Sequence, residues 1–194
     1  MKFLRILGNE IVLGTLIAVL SVFTAVASYQ GSIADSKQNE SEVKAVQQLN
    51  DGNAEYLSAN QFIVYDYTMY DGWYTNDSEE KAAYYESSYS ESLQNSIAAN
   101  PDDPFSDAYY EAMYAEANAK WEESDANYEL AGQWDNRGDG LQLVMLIMAL
   151  GLAFSAWASL LKEESKMRLL FAALGVITLV MGIIFYLAVP AVAA

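Results

Sequence analysis

Acid–base or metal chemistry on this chain would have to be built from carboxylates, because its 194 residues include no histidine and no cysteine. That composition excludes Ser-His-Asp and Cys-His nucleophilic arrangements, thiol redox chemistry and the usual zinc sites. Among the acidic stretches, Asp135-Asn-Arg-Gly-Asp-Gly140 comes nearest to a metal loop. A calcium loop of the EF-hand type needs Asp or Asn at its third position and Glu at its twelfth. Arg137 and Leu146 stand there instead, so the stretch reads as a solvated turn close to an apolar segment. Asp102 and Asp103 lie between Pro101 and Pro104 and suit helix capping. No catalytic residue, cofactor site or metal site is expected, and the chain reads as a non-enzyme. The remaining chemical resource is aromatic: 14 tyrosines, 7 phenylalanines and 4 tryptophans. Rigid amphipathic rings favour contact surfaces, and Phe62, Tyr65, Tyr70 and Trp73 are the candidates for one. The competing reading makes most rings the core of a helical bundle, with Trp134 and Tyr186 as membrane-interface anchors.

Charge and hydropathy are segregated along the chain. The sequence is 53% hydrophobic yet carries a net charge of −16. Residues 28–140 hold 23 acidic and 5 basic side chains, so nearly all of the acidity lies in that one block. Such a field repels phosphate backbones, which argues against a nucleic-acid partner. Outside the block lie three apolar segments. Residues 11–27 have no charge, and Leu141–Leu161 and Leu169–Ala194 are likewise uncharged. A helix rises about 1.5 Å per residue, so each long segment can cross a hydrocarbon core about 30 Å thick. The charged link between the last two, Lys162-Glu-Glu-Ser-Lys-Met-Arg168, is short enough to force an antiparallel membrane hairpin.

The first apolar segment has two readings. Lys2 and Arg5, the apolar run and Ala25-Val-Ala27 fit a cleaved signal peptide. Glu10, which interrupts the approach to the apolar run, favours a retained first span. Basic residues before the first span and between the second and third place both of those segments in the cytoplasm. The expected plan is a cytoplasmic N-terminus at 1–10, spans at 11–28, 141–161 and 169–190, and a cytoplasmic link at 162–168. An acidic extracytoplasmic domain at 29–140 and an extracytoplasmic tail at 191–194 complete it.

Within the spans, Gly14, Ala18, Ser21 and Ala25 make one stripe of small residues, and Gly151, Ser155 and Ser159 another. Gly175 and Gly182, with Ala172, form a candidate opposing face. Small residues let helix backbones approach closely in lipid, so these are the helix-packing candidates. The acidic block reads as helical, with a break near Asn50-Asp-Gly-Asn53 and turns near Asp71-Gly72 and Thr75-Asn76. A helix is expected to start at Asp77-Ser-Glu-Glu80 and run to Ala99. Another is expected from Asp103 and Pro104, with Phe105, Ala108, Ala112, Ala115 and Ala119 as a coiled-coil-like seam. Gly132, Gly138 and Gly140 leave open whether it enters the second span unbroken.

The fold class expected is therefore an all-α membrane protein, three transmembrane helices with a long extracytoplasmic helical hairpin between the first and second. This layout resembles an uncharacterised family of prokaryotic three-span membrane proteins known as a domain of unknown function. The resemblance is carried by Ala54-Glu-Tyr56, the aromatic run to Trp73-Tyr74, Ala112–Glu129, and Leu141–Gly182 with its link. It implies a topology and no activity. The expected function is a scaffold or accessory subunit in the lipid bilayer, present as a homo-oligomer or within a larger membrane complex. The alternative is an extracytoplasmic ligand-binding sensor that signals through a partner.

Overall fold

A computed structural model describes residues 7–192, and the basic N-terminal pair Lys2 and Arg5 lies outside them. Helix makes up 86% of the structure, and no strand occurs among the described residues. Among the described residues five helices follow in order: α1 (Glu10–Tyr74), α2 (Glu79–Ser87), α3 (Glu91–Ala99), α4 (Asp107–Leu160) and α5 (Lys166–Ala188). Among the described residues, α1, α4 and α5 each carry a stretch long and apolar enough to cross a membrane, consistent with a multi-pass membrane protein. By contacts the chain divides into two compact units, residues 1–41 with 129–194, and residues 42–128.

The first unit packs α1, α4 and α5 through leucine against glycine. Leu16, Leu20, Val144 and Met148 are buried together, with Phe23, Val176 and Leu179 against them. Glycine is needed where the backbones close up. A side chain at Gly151 would meet Thr178 and Leu20, and one at Gly182 would meet Met148 at 2.5 Å. Arg168 ties one end of the unit together. Its Nε donates to the Gly8 carbonyl at 2.9 Å and its Nη1 to the Leu161 carbonyl at 2.7 Å, just past the α4 terminus. A cation there complements the partial negative charge of a helix C-terminus. The link expected at 162–168 is shorter as a loop, since Ser165 caps α5 by accepting from the Met167 N–H and Lys166 is already helical. Elsewhere in the unit Gln30 donates to the Tyr186 hydroxyl at 2.9 Å, and Arg137 to the Pro190 carbonyl at 2.7 Å.

The second unit is an aromatic bundle. Four of its five buried positions on α1, Ala45, Gly52, Ala59 and Asp66, recur at intervals of seven, and the fifth, Ile63, falls between the last two on the same face, the spacing that keeps one face toward a neighbour. On α4 the covered positions are Tyr109, Ala117 and Ser124. This corrects the expected seam, because Ala108, Ala112, Ala115 and Ala119 are exposed. The helix is turned so that Tyr109, Met113, Tyr114 and Trp121 face inward, and rings bury far more apolar area than methyl groups. Trp121 explains a second difference. No break occurs at Asn50–Asn53, where a side chain on Gly52 would meet the Trp121 indole at 2.6 Å; glycine there admits the ring, and α1 continues. Gly132, Gly138 and Gly140 likewise lie inside the unbroken α4.

The connecting segments also depart from expectation. The helix expected from Asp77 to Ala99 is two helices. Ser78 is the N-cap of α2, and the chain stops at Ser88–Ser90 before Ser90 caps α3. The third of these helices starts at Asp107 and not at Pro104, because Phe105 is held against the Tyr67 ring at a centroid distance of 4.0 Å.

Candidate functional site

The break between α2 and α3 is held by a residue from another helix. Asp66 lies about two turns before the C-terminal end of α1, has no exposed surface, and accepts three hydrogen bonds. The Ser90 N–H and the Tyr109 hydroxyl donate at 2.8 Å each, and the Ser90 hydroxyl donates to the second carboxylate oxygen. Ser90 in turn accepts from the Leu93 N–H, so the carboxylate stands beside the N-terminus of α3, where negative charge is favoured. A buried carboxylate without such donors would be very costly. Its three donors come from two segments far apart in sequence and fix both against α1.

Around this node the rings form a continuous cluster. Ile63, Tyr89, Leu93 and Tyr109 are its buried centre, with Tyr70, Trp73, Ile97 and Phe105 packed against it. On one side it opens into a cleft of about 720 Å³ lined by Tyr70, Trp73, Glu86, Tyr89, Gln94, Ile97, Pro101 and Pro104, among others. That is within the size range of small-molecule sites. Tyr89 is almost fully covered, and its hydroxyl has no hydrogen-bond partner. A second, smaller cleft of about 370 Å³ brings Glu55, Glu91 and Glu116 near Phe62. No group of three or more metal-ligating side chains occurs among the described residues.

The tyrosines here resist ionisation. Burial, followed by the negative charge of Glu86, pushes Tyr89 up to about 12. Tyr109 is raised further, by burial and by its hydrogen bond to Asp66, and Tyr110 is pushed up to about 12, chiefly by its hydrogen bond with Tyr67. Tyr114 is raised as well, mainly by burial. Since the folded values exceed that of an unfolded tyrosine, about 10, the unit holds its protons above pH 10 and loses stability as pH rises from there through about 12. Alkaline titration followed at 295 nm should therefore show a late group of tyrosines ionising together with loss of the near-ultraviolet circular dichroism. Ionisation of every tyrosine near pH 10 with that signal intact would contradict the burial described.

The chain matches no family model, no curated protein and no solved structure. Its residues therefore carry the functional argument alone.

The structure separates the four residues of the expected aromatic surface. Tyr70 and Trp73 line the larger cleft, Phe62 lines the smaller one, and Tyr65 faces outward beside neither. The helix-packing candidates separate too. Gly151, Ser155, Gly175 and Gly182 are buried inside the first unit, whereas Ser159 is exposed. Gly14, Ala18, Ser21 and Ala25 are all exposed, and a side chain at Gly14 would meet nothing within 4 Å. The other face of α1, with Leu13, Leu16 and Leu20, is the covered one, because leucines fill the space between helices that small residues would leave open. Asp66, Ser90, Tyr89, Tyr109 and Arg168 were not anticipated. Asp66 left a trace, being the one charged residue on the sevenfold series that is otherwise Ala45, Gly52 and Ala59.

Proposed function

We propose that the chain is a non-enzymatic integral membrane scaffold or accessory subunit that presents its acidic helical segment, residues 29–140, outside the cell and assembles through helix packing. In this reading the N-terminus and the 162–168 link are cytoplasmic, as the placement of Lys162, Lys166 and Arg168 between two spans supports. The observation that carries the assembly reading is the uncovered face of α1. Gly14, Ala18, Ser21 and Ala25 offer a narrow, flat contact within an apolar stretch, and no helix among the described residues uses it. A second copy or a larger membrane protein would gain close backbone contact there. The exposed alanines of α4, Ala108, Ala112, Ala115 and Ala119, offer a similar face in the polar unit.

Because the chain has no cysteine, single-cysteine variants report contacts cleanly. Ala18→Cys in native membranes should give a disulfide-linked dimer under mild oxidation, while Val26→Cys, exposed but about 80° round the helix from Ala18, should not. Equal and weak cross-linking at both positions, together with a monomeric mass in mild detergent, would refute self-assembly. A fixed complex with a different protein would leave the accessory-subunit form standing.

A second reading, an extracytoplasmic ligand-binding module acting through a partner, is supported by the aromatic cleft beside Tyr89. It predicts that some member of a small-molecule panel, spanning cationic, neutral and anionic compounds, raises the melting temperature of the intact chain. A panel without any such member would sink this reading.

A further inference from the structure

We propose that the cleft lined by Tyr70, Trp73 and Tyr89 binds an organic cation of the quaternary-ammonium class, with Glu86 as its counter-charge. The inference rests on the ligand-binding reading and adds the charge and shape of the ligand.

Three rings meet at this cleft. Tyr70 and Trp73 have centroids 5.5 Å apart with planes inclined by 39°, and Tyr70 and Tyr89 are 6.2 Å apart with planes inclined by 36°. The rings are thus inclined to one another and not stacked flat, and all three line the same cleft. Ring faces are electron-rich, and a cation within about 6 Å of several of them is attracted by each. Ile97, Pro101 and Pro104 complete the wall with apolar surface. A compact ammonium would have to shed tightly held water to enter, whereas a methylated one brings apolar groups that match the wall.

The charge points the same way. Glu86 is the only ionised side chain lining the cleft, and no lysine or arginine lines it. Residues 42–128 carry 18 acidic and 3 basic side chains, so the wider field is negative as well. The Tyr89 hydroxyl is held neutral first by burial and then by the negative charge of Glu86, with a smaller contribution from Asp66. An anion would enter against Glu86, and a neutral apolar ligand would cover that carboxylate without compensating it. The buried Tyr89 hydroxyl, which lacks a partner, adds a polar contact that a hydroxyl on the cation would satisfy.

The test uses isothermal titration and thermal shift on the full chain in detergent, with choline, tetraethylammonium and the neutral choline isostere 3,3-dimethylbutan-1-ol. All are compared with sodium chloride at equal ionic strength. Choline should bind saturably and at least about tenfold more tightly than the neutral isostere. Glu86→Gln should weaken choline binding about fivefold. Because Glu86 is exposed, that variant should keep the parent melting temperature. Trp73→Phe, which keeps a ring in place, should weaken it by a smaller factor. Equal binding of choline and its isostere would overturn the cation assignment and leave a ligand-binding cleft in place. Shifts by choline no larger than those of sodium chloride would also overturn it, whereas the broader reading fails only if neutral and anionic compounds are inert too.

Discussion

Replacing Asp66 with alanine should lower the melting temperature of the residue 42–128 unit by about 15 °C, from a loss of about 3 kcal/mol. The loss follows from the groups that the substitution strands. The Tyr109 hydroxyl is buried, the Ser90 N–H has no other acceptor in its own segment, and the Ser90 hydroxyl loses its partner. A hydrogen bond to a charged group contributes about 1.5–3 kcal/mol, and buried donors left unpaired add their desolvation cost. Part of the loss is recovered because the carboxylate no longer has to be desolvated, which keeps the total below the sum of three bonds. Asp66→Asn should cost less, since its amide oxygen still accepts while its NH₂ group meets donors. The transition is best followed by near-ultraviolet circular dichroism, because the rings of Tyr89, Tyr109 and Phe105 surround the site. A shift of Asp66→Ala within about 2 °C of the parent would show that the node is not what holds α3 to α1.

The second large effect is expected in the apolar unit. Gly175→Leu should cost about 3 kcal/mol, at the upper end for overpacking a well-filled interior. A Cβ there runs into the Ser155 hydroxyl and crowds Leu16 at 3.2 Å, and with the Gly151 carbonyl already in contact at 3.5 Å no space remains for the rest of a leucine. Gly14→Leu is the matched control, because nothing lies within 4 Å of that position. It should leave unfolding in rising SDS fraction unchanged while abolishing any dimer reported by Ala18→Cys. If Gly175→Leu and Gly14→Leu unfolded alike, the close approach of α4 and α5 at Gly175 would be wrong.

The two units differ in how readily the sequence discloses them. The three apolar helices are legible because length and the absence of charge decide the matter, and both are local properties. The glycines of α4 and α5 are legible as packing candidates for the same reason. The aromatic unit is not, because its geometry depends on contacts between residues far apart. Asn50-Asp-Gly-Asn53 has the composition of a turn, but Trp121, almost seventy residues later, lies over Gly52 and the helix goes on. The Ser88–Ser90 break has neither proline nor glycine to announce it, and is understood only once Asp66 is placed beside the Ser90 N–H. The alanine seam was misplaced because spacing shows that a face exists and not whether rings a few positions away make a better one. Among the candidate site residues, Tyr70 and Trp73 were found by composition, whereas Glu86 and Tyr89 belong to the cleft through the turn that follows α2.

The Asp66 node also sets an order of events during synthesis. Asp66 emerges before either of its donor residues, and Tyr109 follows it by 43 positions. At about 5–20 residues per second, the ribosome takes roughly 2 to 9 s to deliver that hydroxyl. Throughout this interval Ile63, Tyr70 and Trp73 lack the ring cluster that later covers them, and the carboxylate remains hydrated in the nascent chain. Completion of the unit must then strip water from Asp66 in the same step that closes the cluster, so its folding barrier should be set by a late, non-local event and not by growth of the helices.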